Sequence, residues 1–203
     1  ERIFIDLAES GGMADAIFGR IRAFYLEYER RILDSARRKI DILCTGDDFG
    51  AQNGLLISPA SWRRFLGPGF AAFVSAANEA GVRVMHHTCG AVRALVPDLA
   101  ARGLDILQSL QPEASGMDPA GLKRAYGSKI VLNGCIDTHH LLIRGTPDLV
   151  RRRVREILET MRPGGGFVAS PSHDYLLPET SVANFLAMVE TVRDFGAYPG
   201  GQR

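Results

Sequence analysis

The sequence has few cysteines, almost no net charge and no long hydrophobic run. Its three cysteines, Cys44, Cys89 and Cys135, lie far apart, which excludes a small secreted scaffold held together by disulfides. The 24 basic and 23 acidic side chains leave a formal charge of +1, so no electrostatic argument favours nucleic acid or an anionic membrane as a partner. No apolar stretch approaches the roughly 20 residues of a membrane span, and no signal-peptide pattern is present. We therefore expect a cytoplasmic protein that acts on a small molecule.

The chain has enough apolar residues for a core, since 46% of its 203 residues are hydrophobic. The first predicted helix covers residues 13–38 and carries an apolar side made of Ile17, Ile21, Phe24, Tyr25, Tyr28, Ile32 and Leu33. Buried strands are then predicted over 41–45, 82–87, 104–107, 130–132 and 167–169, and helices over 58–80, 91–101, from 118, 146–161 and 181–195. Because parallel strands need crossover connections, which are usually helices, this alternation predicts an α/β fold with a parallel sheet.

Polar side chains follow most of the predicted strands. They are Asp47 and Asp48, His87 and Cys89, Gln108 and Gln111, Asp137, and His173 and Asp174. Active sites of (β/α) barrels are built in this way, from the loops at the carboxyl ends of the strands, and this favours a barrel over a doubly wound sheet. A complete barrel has eight strand–helix units, and this chain supplies about five.

Two side chains that can bind a metal end the second predicted strand. His87 and Cys89 are two residues apart, and successive strand residues point to opposite faces, so both are expected on the same side. Zinc takes imidazole nitrogen and thiolate sulfur in tetrahedral geometry, and a catalytic zinc site has three protein ligands and one open position. The pair is therefore a candidate for part of a metal site, with the third ligand left open. The alternative is a hydrogen-bonded histidine beside a small buried cysteine.

Several segments together resemble the uroporphyrinogen decarboxylase superfamily, which also contains zinc-dependent corrinoid methyltransferases acting on thiols. The segments are Gly46-Asp47-Asp48-Phe49-Gly50, Leu56-Ile57-Ser58-Pro59, His87-Thr88-Cys89-Gly90, Gln111-Pro112-Glu113, Gly134-Cys135-Ile136-Asp137, Gly164-Gly165-Gly166-Phe167 and Ser170-Pro171-Ser172-His173. The resemblance implies a (β/α)8 TIM barrel, of which residues 1–196 look like the carboxyl-terminal part, followed by a tail over 197–203. It also implies that the first strands and their loops are absent.

The superfamily that the sequence resembles has branches with different chemistry. The thiol methyltransferases use H-x-C and a cysteine from the last strand–helix loop as zinc ligands. Here His87 and Cys89 match the H-x-C, and His173 occupies the last loop in place of the cysteine. The implied zinc ligands are therefore His87, Cys89 and His173. We expect the corrinoid to act as a co-substrate on a separate protein, because nothing in the sequence resembles a corrinoid-binding module.

Other residues receive roles within the same comparison. Asp47, Asp48 and His173 are the predicted catalytic residues, and either aspartate could instead provide an outer hydrogen bond or a further metal ligand. The predicted substrate-binding residues are Gln111, Asp137 and Tyr175. A first alternative function is uroporphyrinogen decarboxylation without metal, in which His173 binds substrate. A second is an inactive fragment that associates with other chains, and in either case an open barrel predicts a homo-oligomer.

Overall fold

The computed structural model describes residues 2–9, 12–36 and 39–198. Its strands in chain order are β1 (Ile42–Gly46), β2 (Gly50–Ala51), β3 (Gly54–Leu55), β4 (Arg83–His87), β5 (Ile106–Leu110), β6 (Val131–Ile136) and β7 (Phe167–Pro171). Its helices are α1 (Arg2–Glu9), α2 (Gly12–Ala36), α3 (Pro59–Phe65), α4 (Gly67–Glu79), α5 (Val96–Ala101), α6 (Pro119–Tyr126), α7 (Pro147–Met161) and α8 (Val182–Phe195). A 3₁₀ turn covers Arg93–Leu95 and a π-helix covers Thr138–Ile143.

Five of the strands form one parallel sheet. Its order is β1-β4-β5-β6-β7, so every strand added along the chain lies beside the previous one. The predicted α/β class is therefore confirmed, with alternating strand–helix units that form part of a TIM barrel. The short strands β2 and β3 make a separate antiparallel hairpin between β1 and α3. All five parallel strands end on the same edge, where their loops meet.

Four helices begin where the sequence predicts a helix start, and each begins at a side-chain cap. Ser58 accepts the Ser61 N–H at 3.0 Å, and Asp118 accepts the Gly121 N–H at 2.7 Å. Thr146 and Ser181 cap α7 and α8 in the same way. In each case a side-chain oxygen accepts a backbone N–H that has no partner within the helix.

Some predicted boundaries differ from the structure. The helix predicted over residues 58–80 is two helices, α3 and α4, because the chain turns at Leu66 and Pro68 starts the second one. The strand predicted over 104–107 lies at Ile106–Leu110 instead. Of the predicted tail at 197–203, residues 199–203 lie outside the described residues, as do residues 37 and 38 at the end of the first predicted helix.

The prediction that the first strand is buried was wrong. Side chains of β1 alternate between exposed and half-buried, and Ile42 remains 44% exposed. The reason is that β1 pairs with β4 on one side and with no other strand among the described residues. The apolar side chains of β1 are thus not covered by another layer of the described residues.

Helix α2 lies where it was predicted, but most of its predicted apolar side faces solvent. The exposed fractions are 38% for Ile17, 46% for Ile21, 66% for Phe24, 53% for Tyr25 and 56% for Tyr28. A neighbouring side of the helix packs on the rest of the chain, where the ring of Phe18 lies 6.4 Å from that of Phe65 and Ala14 and Glu29 are buried. Among the described residues, no helix is long and apolar enough to cross a membrane.

The core lies between the parallel sheet and the helices that cover it. Fully buried side chains come from strands and helices alike, including Val84, Leu107 and Leu132 from the sheet, and Leu99, Leu122, Val150 and Val154 from the helices. Burial of these side chains is the main driving force that keeps the strand ends in place. The loops beyond those strand ends are therefore carried by a rigid support.

Candidate metal centre

Strand β4 positions His87 and the loop after it positions Cys89. The side chains of His86 and Thr88 point to the other face, where they are 3% and 0% exposed. His87 and Cys89 are only half-buried, and Cys89 Sγ lies 3.2 Å from Nε2 of His87. The expected placement of the two residues on one side is thus observed, with their donor atoms in contact.

The loop after β1 brings a carboxylate to the same place. Asp48 Oδ1 accepts the Cys89 N–H at 3.0 Å and lies 3.8 Å from Nε2 of His87. Parallel pairing explains the approach, because Gly46 at the end of β1 is in register with His87. Asp48, His87 and Cys89 each offer one donor atom, and these three atoms lie within 4.8 Å of one another.

The second ring nitrogen of His87 faces two hydrogen-bond acceptors. Nδ1 lies 3.1 Å from Asp174 Oδ2 and 3.1 Å from Gln108 Oε1. Gln108 also donates its amide N–H to Asp174 Oδ1 at 2.7 Å, which fixes the orientation of both side chains. Because both partners of Nδ1 are acceptors, Nδ1 carries the proton and Nε2 presents its lone pair to Cys89 and Asp48. This is the tautomer that a metal-binding histidine needs.

The charges around Cys89 favour a cation at this point. Burial, the carboxylate of Asp48 and the more distant one of Asp174 raise the pKa of the Cys89 thiol to about 11. Desolvation and the adjacent Asp48 also raise the pKa of Asp47, which nevertheless keeps contact with solvent. Negative charge therefore accumulates here, and a bound divalent cation would offset it.

The three donors suit zinc in their chemistry and come close to tetrahedral spacing. Bonds of about 2.0–2.3 Å at tetrahedral angles separate neighbouring donor atoms by about 3.3–3.7 Å. The observed separations, 3.2 Å from sulfur to nitrogen and 3.8 Å from oxygen to nitrogen, lie on either side of this range. Nitrogen, sulfur and carboxylate oxygen are all common zinc ligands, and three ligands leave one position open. The residues present thus suit a catalytic rather than a structural zinc site.

Two glycines allow the loops that carry the donors to approach each other. A Cβ atom on Gly50 would lie 2.8 Å from the carbonyl oxygen of Cys89, and one on Gly90 would lie 2.7 Å from that of Ala51. Gly90 also has a φ of 79°, which other residues rarely adopt. Close backbone contact between the two loops is therefore part of how the site is built.

The remaining predicted site residues lie elsewhere on the same edge. His173 does not join the three donor atoms in the described part of the chain; its ring packs on that of Tyr175 with centroids 4.5 Å apart, and its buried Nδ1 has no hydrogen-bond partner. Tyr175 is 63% exposed. The roles of His173 as ligand or catalytic residue, and of Tyr175 in substrate binding, stay predictions.

Gln111 and Asp137 make structural contacts in addition to their predicted role. Gln111 is buried, and its Oε1 accepts the Gly90 N–H at 2.9 Å, so it helps to hold the loop that carries Cys89. Asp137 caps the π-helix by accepting the His140 N–H at 2.7 Å. Substrate binding by either residue stays a prediction.

Sequence reasoning did not single out Asp174 and Gln108 as site residues. An outer hydrogen bond to the ligand histidine was one of the roles left open for Asp47 and Asp48, and in the structure Asp174 is the carboxylate next to Nδ1 of His87. The available signal was weak: Gln108 follows one predicted strand and Asp174 lies a few residues beyond another, as many polar residues do. Only the pairing of the strands shows that Gln108, within β5, and the loop after β7 reach His87.

Comparison with known proteins identifies the family. A family model described as Uroporphyrinogen decarboxylase (URO-D) matches residues 22–195. A curated protein named uroporphyrinogen decarboxylase from Pseudoalteromonas translucida (strain TAC 125) is 31% identical over 93 residues, which are 41% of this chain and 25% of that protein. A solved methyltransferase from Methanosarcina mazei superposes with a TM-score of 0.62 and 26% identity over 77% of this chain.

The chain spans less than half of each of these proteins, since the aligned part covers 43% of the solved methyltransferase and 25% of the curated relative. The family model, in contrast, matches most of the chain and includes every donor residue of the candidate centre. The curated relative and the solved structure also carry names from the two branches that the sequence resembles. The chain belongs to the uroporphyrinogen decarboxylase family.

Proposed function

We propose that this chain carries the metal centre of a methyltransferase that moves a methyl group between a corrinoid and a thiol or methoxylated compound. The observation that supports it most is the convergence of Asp48, His87 and Cys89, with Asp174 at the other nitrogen of the imidazole. Asp48 is thereby the proposed third ligand, from the loop after β1. The similarity to a methyltransferase of known structure adds support for this branch of the family.

Zinc bound at these three donors would supply a Lewis acid that lowers the pKa of a substrate thiol. The residues of the chain perform the remaining tasks. Asp174 accepts a hydrogen bond from the Nδ1–H of His87 and so keeps Nε2 free for the centre. Asp47, next to Asp48 and in contact with solvent, is the proposed acceptor of the proton that the substrate thiol gives up. His173 and Tyr175 lie in the loop that carries Asp174, where substrate can reach the exposed ring of Tyr175.

Methyl transfer at this centre needs no external oxidant. The thiolate sulfur attacks the methyl carbon of a methylated corrinoid, a carbon–sulfur bond forms, and the carbon–cobalt bond breaks with its electron pair left on cobalt. In the demethylating direction, the reduced corrinoid attacks the methyl carbon of a methoxylated compound, the carbon–cobalt bond forms, and the carbon–oxygen bond breaks with its electron pair left on oxygen, which takes up a proton and leaves as an alcohol. We expect the corrinoid to arrive on a separate protein.

Two measurements test the proposal. The purified chain should contain about one zinc per molecule by elemental analysis, and a His87→Ala, Cys89→Ala variant should contain none. Methyl transfer from methylcobalamin to a small thiol should change the corrinoid absorbance, and a chelator should abolish it. Cys89→Ser should lose both zinc and transfer, whereas Cys44→Ser, at an exposed position on β1, should keep both. Transfer that persists after chelation and in Cys89→Ser would overturn the proposal.

A second candidate function is supported by the curated relative named uroporphyrinogen decarboxylase. In this alternative no metal is needed, and His173 contacts the tetrapyrrole substrate. Its buried Nδ1 has no partner in the described residues and is free to take one. Decarboxylation of a uroporphyrinogen without added metal, retained in Cys89→Ala, would favour this function over methyl transfer.

A further inference from the structure

The proposed ligand Asp48 has a largely exposed side chain. Its side chain is 60% exposed, and its contacts are with the centre itself, namely the Cys89 N–H and the imidazole of His87. An exposed carboxylate of this kind has several rotamers available, and holding it in one of them costs conformational entropy. If Asp48 is to be in place before the metal binds, neighbouring residues must hold the loop that carries it.

The next residue supplies a buried anchor. Phe49 is 4% exposed, and its ring stacks on that of His86 with centroids 5.2 Å apart and an interplanar angle of 20°. The Trp62 ring also packs on Phe49 in an edge-to-face arrangement, with centroids 5.5 Å apart. Burying an aromatic side chain of this size contributes about 2–3 kcal/mol, enough to hold one end of the loop.

A buried hydrogen bond then links this anchor to the other loop. The Phe49 N–H donates to Oγ1 of Thr88 at 3.0 Å, and both residues are buried. Thr88 lies between His87 and Cys89 in the chain and points away from them, as alternation along the strand requires. The hydrogen bond thus joins the two donor-carrying loops on the side opposite the donor atoms.

We propose that Phe49 and Thr88 form a latch that positions Asp48 as the third metal ligand. Neither residue contacts the metal; both are positioning residues that act through Asp48. Two backbone hydrogen bonds also tie the two loops together on either side of this point: the Asp47 N–H donates to the His87 carbonyl oxygen at 3.1 Å, and the Ala91 N–H donates to the Ala51 carbonyl oxygen at 2.9 Å. The bond from the Phe49 N–H lies between them, directly after Asp48. This inference rests on the proposed metal centre and not on methyl transfer.

Thr88→Val tests the latch, because valine keeps the shape of threonine and removes the acceptor. Cobalt(II) alone is the probe, since its visible absorption bands report the ligand geometry and its thiolate charge-transfer band reports Cys89. We expect Thr88→Val to lower cobalt affinity about tenfold and to alter the visible bands while the charge-transfer band remains. Thr88→Ser, which keeps the hydroxyl, should restore both. Thr191→Val is the matched control, because Thr191 is equally buried but lies in α8.

A double-mutant cycle separates positioning from simple stabilisation. Asp48→Ala should itself weaken cobalt binding, and adding Thr88→Val to it should have no further effect if the latch acts through Asp48. Equal losses in the presence and absence of Asp48 would overturn the proposal. So would a loss of the same size in Thr191→Val, since that would reflect general destabilisation.

A measurement without metal keeps this inference separate from the proposed function. In metal-free protein, hydrogen exchange of the Phe49 amide should be slow in the wild type and in Thr191→Val and fast in Thr88→Val. If the wild type fails to bind cobalt through Cys89, the metal centre and the positioning role fall together, while slow exchange would still show the loop anchored. If exchange at Phe49 is unchanged in Thr88→Val, the latch is wrong whatever the metal does.

Discussion

The carboxylate of Asp174 lies 3.1 Å from Nδ1 of His87, at the nitrogen that does not face Cys89. Asp174 lies in the loop after β7 and His87 at the end of β4, and these two strands are separated in the sheet by β5 and β6. A barrel brings such loops together because all strands end on the same edge and curve around a common axis. The pair therefore depends on the curvature of the sheet as much as on the two residues.

We predict that Asp174→Asn weakens zinc binding by about 10- to 100-fold, the range found when outer partners of ligand histidines are removed. Asparagine can turn its N–H₂ group toward Nδ1, and the ring would then lose its fixed tautomer. Competition with a chromophoric chelator measures the affinity. Asp148→Asn is the matched control, because the Asp148 side chain is 95% exposed and lies on α7. Equal affinities for Asp174→Asn and Asp148→Asn would contradict this role for Asp174.

A second prediction concerns Glu29, a buried carboxyl group on the inner side of α2. Glu29 is 5% exposed, and neither of its carboxyl oxygens has a hydrogen-bond partner among the described residues. Burial raises its pKa from 4.5 to about 7, and nearby Arg30 partly opposes the change. The folded state therefore holds this proton more tightly than the unfolded state. Its contribution to stability is complete below pH 4.5 and is lost as the pH rises through about 7.

Glu29→Gln should remove this pH dependence. One pKa unit corresponds to about 1.4 kcal/mol, and solvent screening reduces the full effect, so we expect the variant to be about 1–2 kcal/mol more stable than the wild type at pH 8 and nearly equal at pH 4. Urea unfolding at the two pH values measures the difference. Glu27→Gln on the exposed side of α2 should change stability by less than about 0.5 kcal/mol at either pH. A gain for Glu29→Gln that is the same at both pH values would disprove the assignment.

The third prediction uses the contact between Gly50 and Gly90. Gly90→Ala adds a methyl group to a residue with a φ of 79°, where it would lie 2.7 Å from backbone atoms of the other loop. The loops must separate, so we expect zinc affinity to fall more than tenfold and the free energy of unfolding to fall by about 1–3 kcal/mol. Chelator competition and thermal unfolding measure the two effects.

Gly54→Ala is the control for this substitution, because Gly54 lies in the adjacent hairpin strand β3 and has open space around its Cα. It should leave zinc affinity unchanged. If Gly90→Ala bound zinc as tightly as Gly54→Ala, close approach of the loops would not be needed for the centre.

The sequence predicts the parallel sheet and the placement of His87 and Cys89, but not the approach of the two aspartates. Specific residues show why. Helix caps such as Ser58 and Asp118 are local, and so is the alternation that puts His87 and Cys89 on one side. The approach of Asp48 and Asp174 depends on strand pairing between distant segments, which periodicity does not encode. The buried-strand prediction for β1 failed for the same reason, since composition reveals an apolar strand and not whether another strand covers it.

The last prediction concerns the exposed apolar side of α2. Ile21, Phe24 and Tyr28 are 46%, 66% and 56% exposed on one side of the helix, and β1 has an edge that pairs with no strand among the described residues. Exposed apolar patches and open strand edges both promote association. We therefore expect the 203-residue chain to form dimers or larger assemblies at micromolar concentration, which light scattering after gel filtration measures.

Phe24→Gln should weaken association about tenfold or more, because burying one aromatic side chain contributes about 1.5–3 kcal/mol. Arg20→Gln, at an exposed position on the same helix, should not. A wild-type chain that stays a monomer of 22.1 kDa and unfolds cooperatively would contradict the prediction.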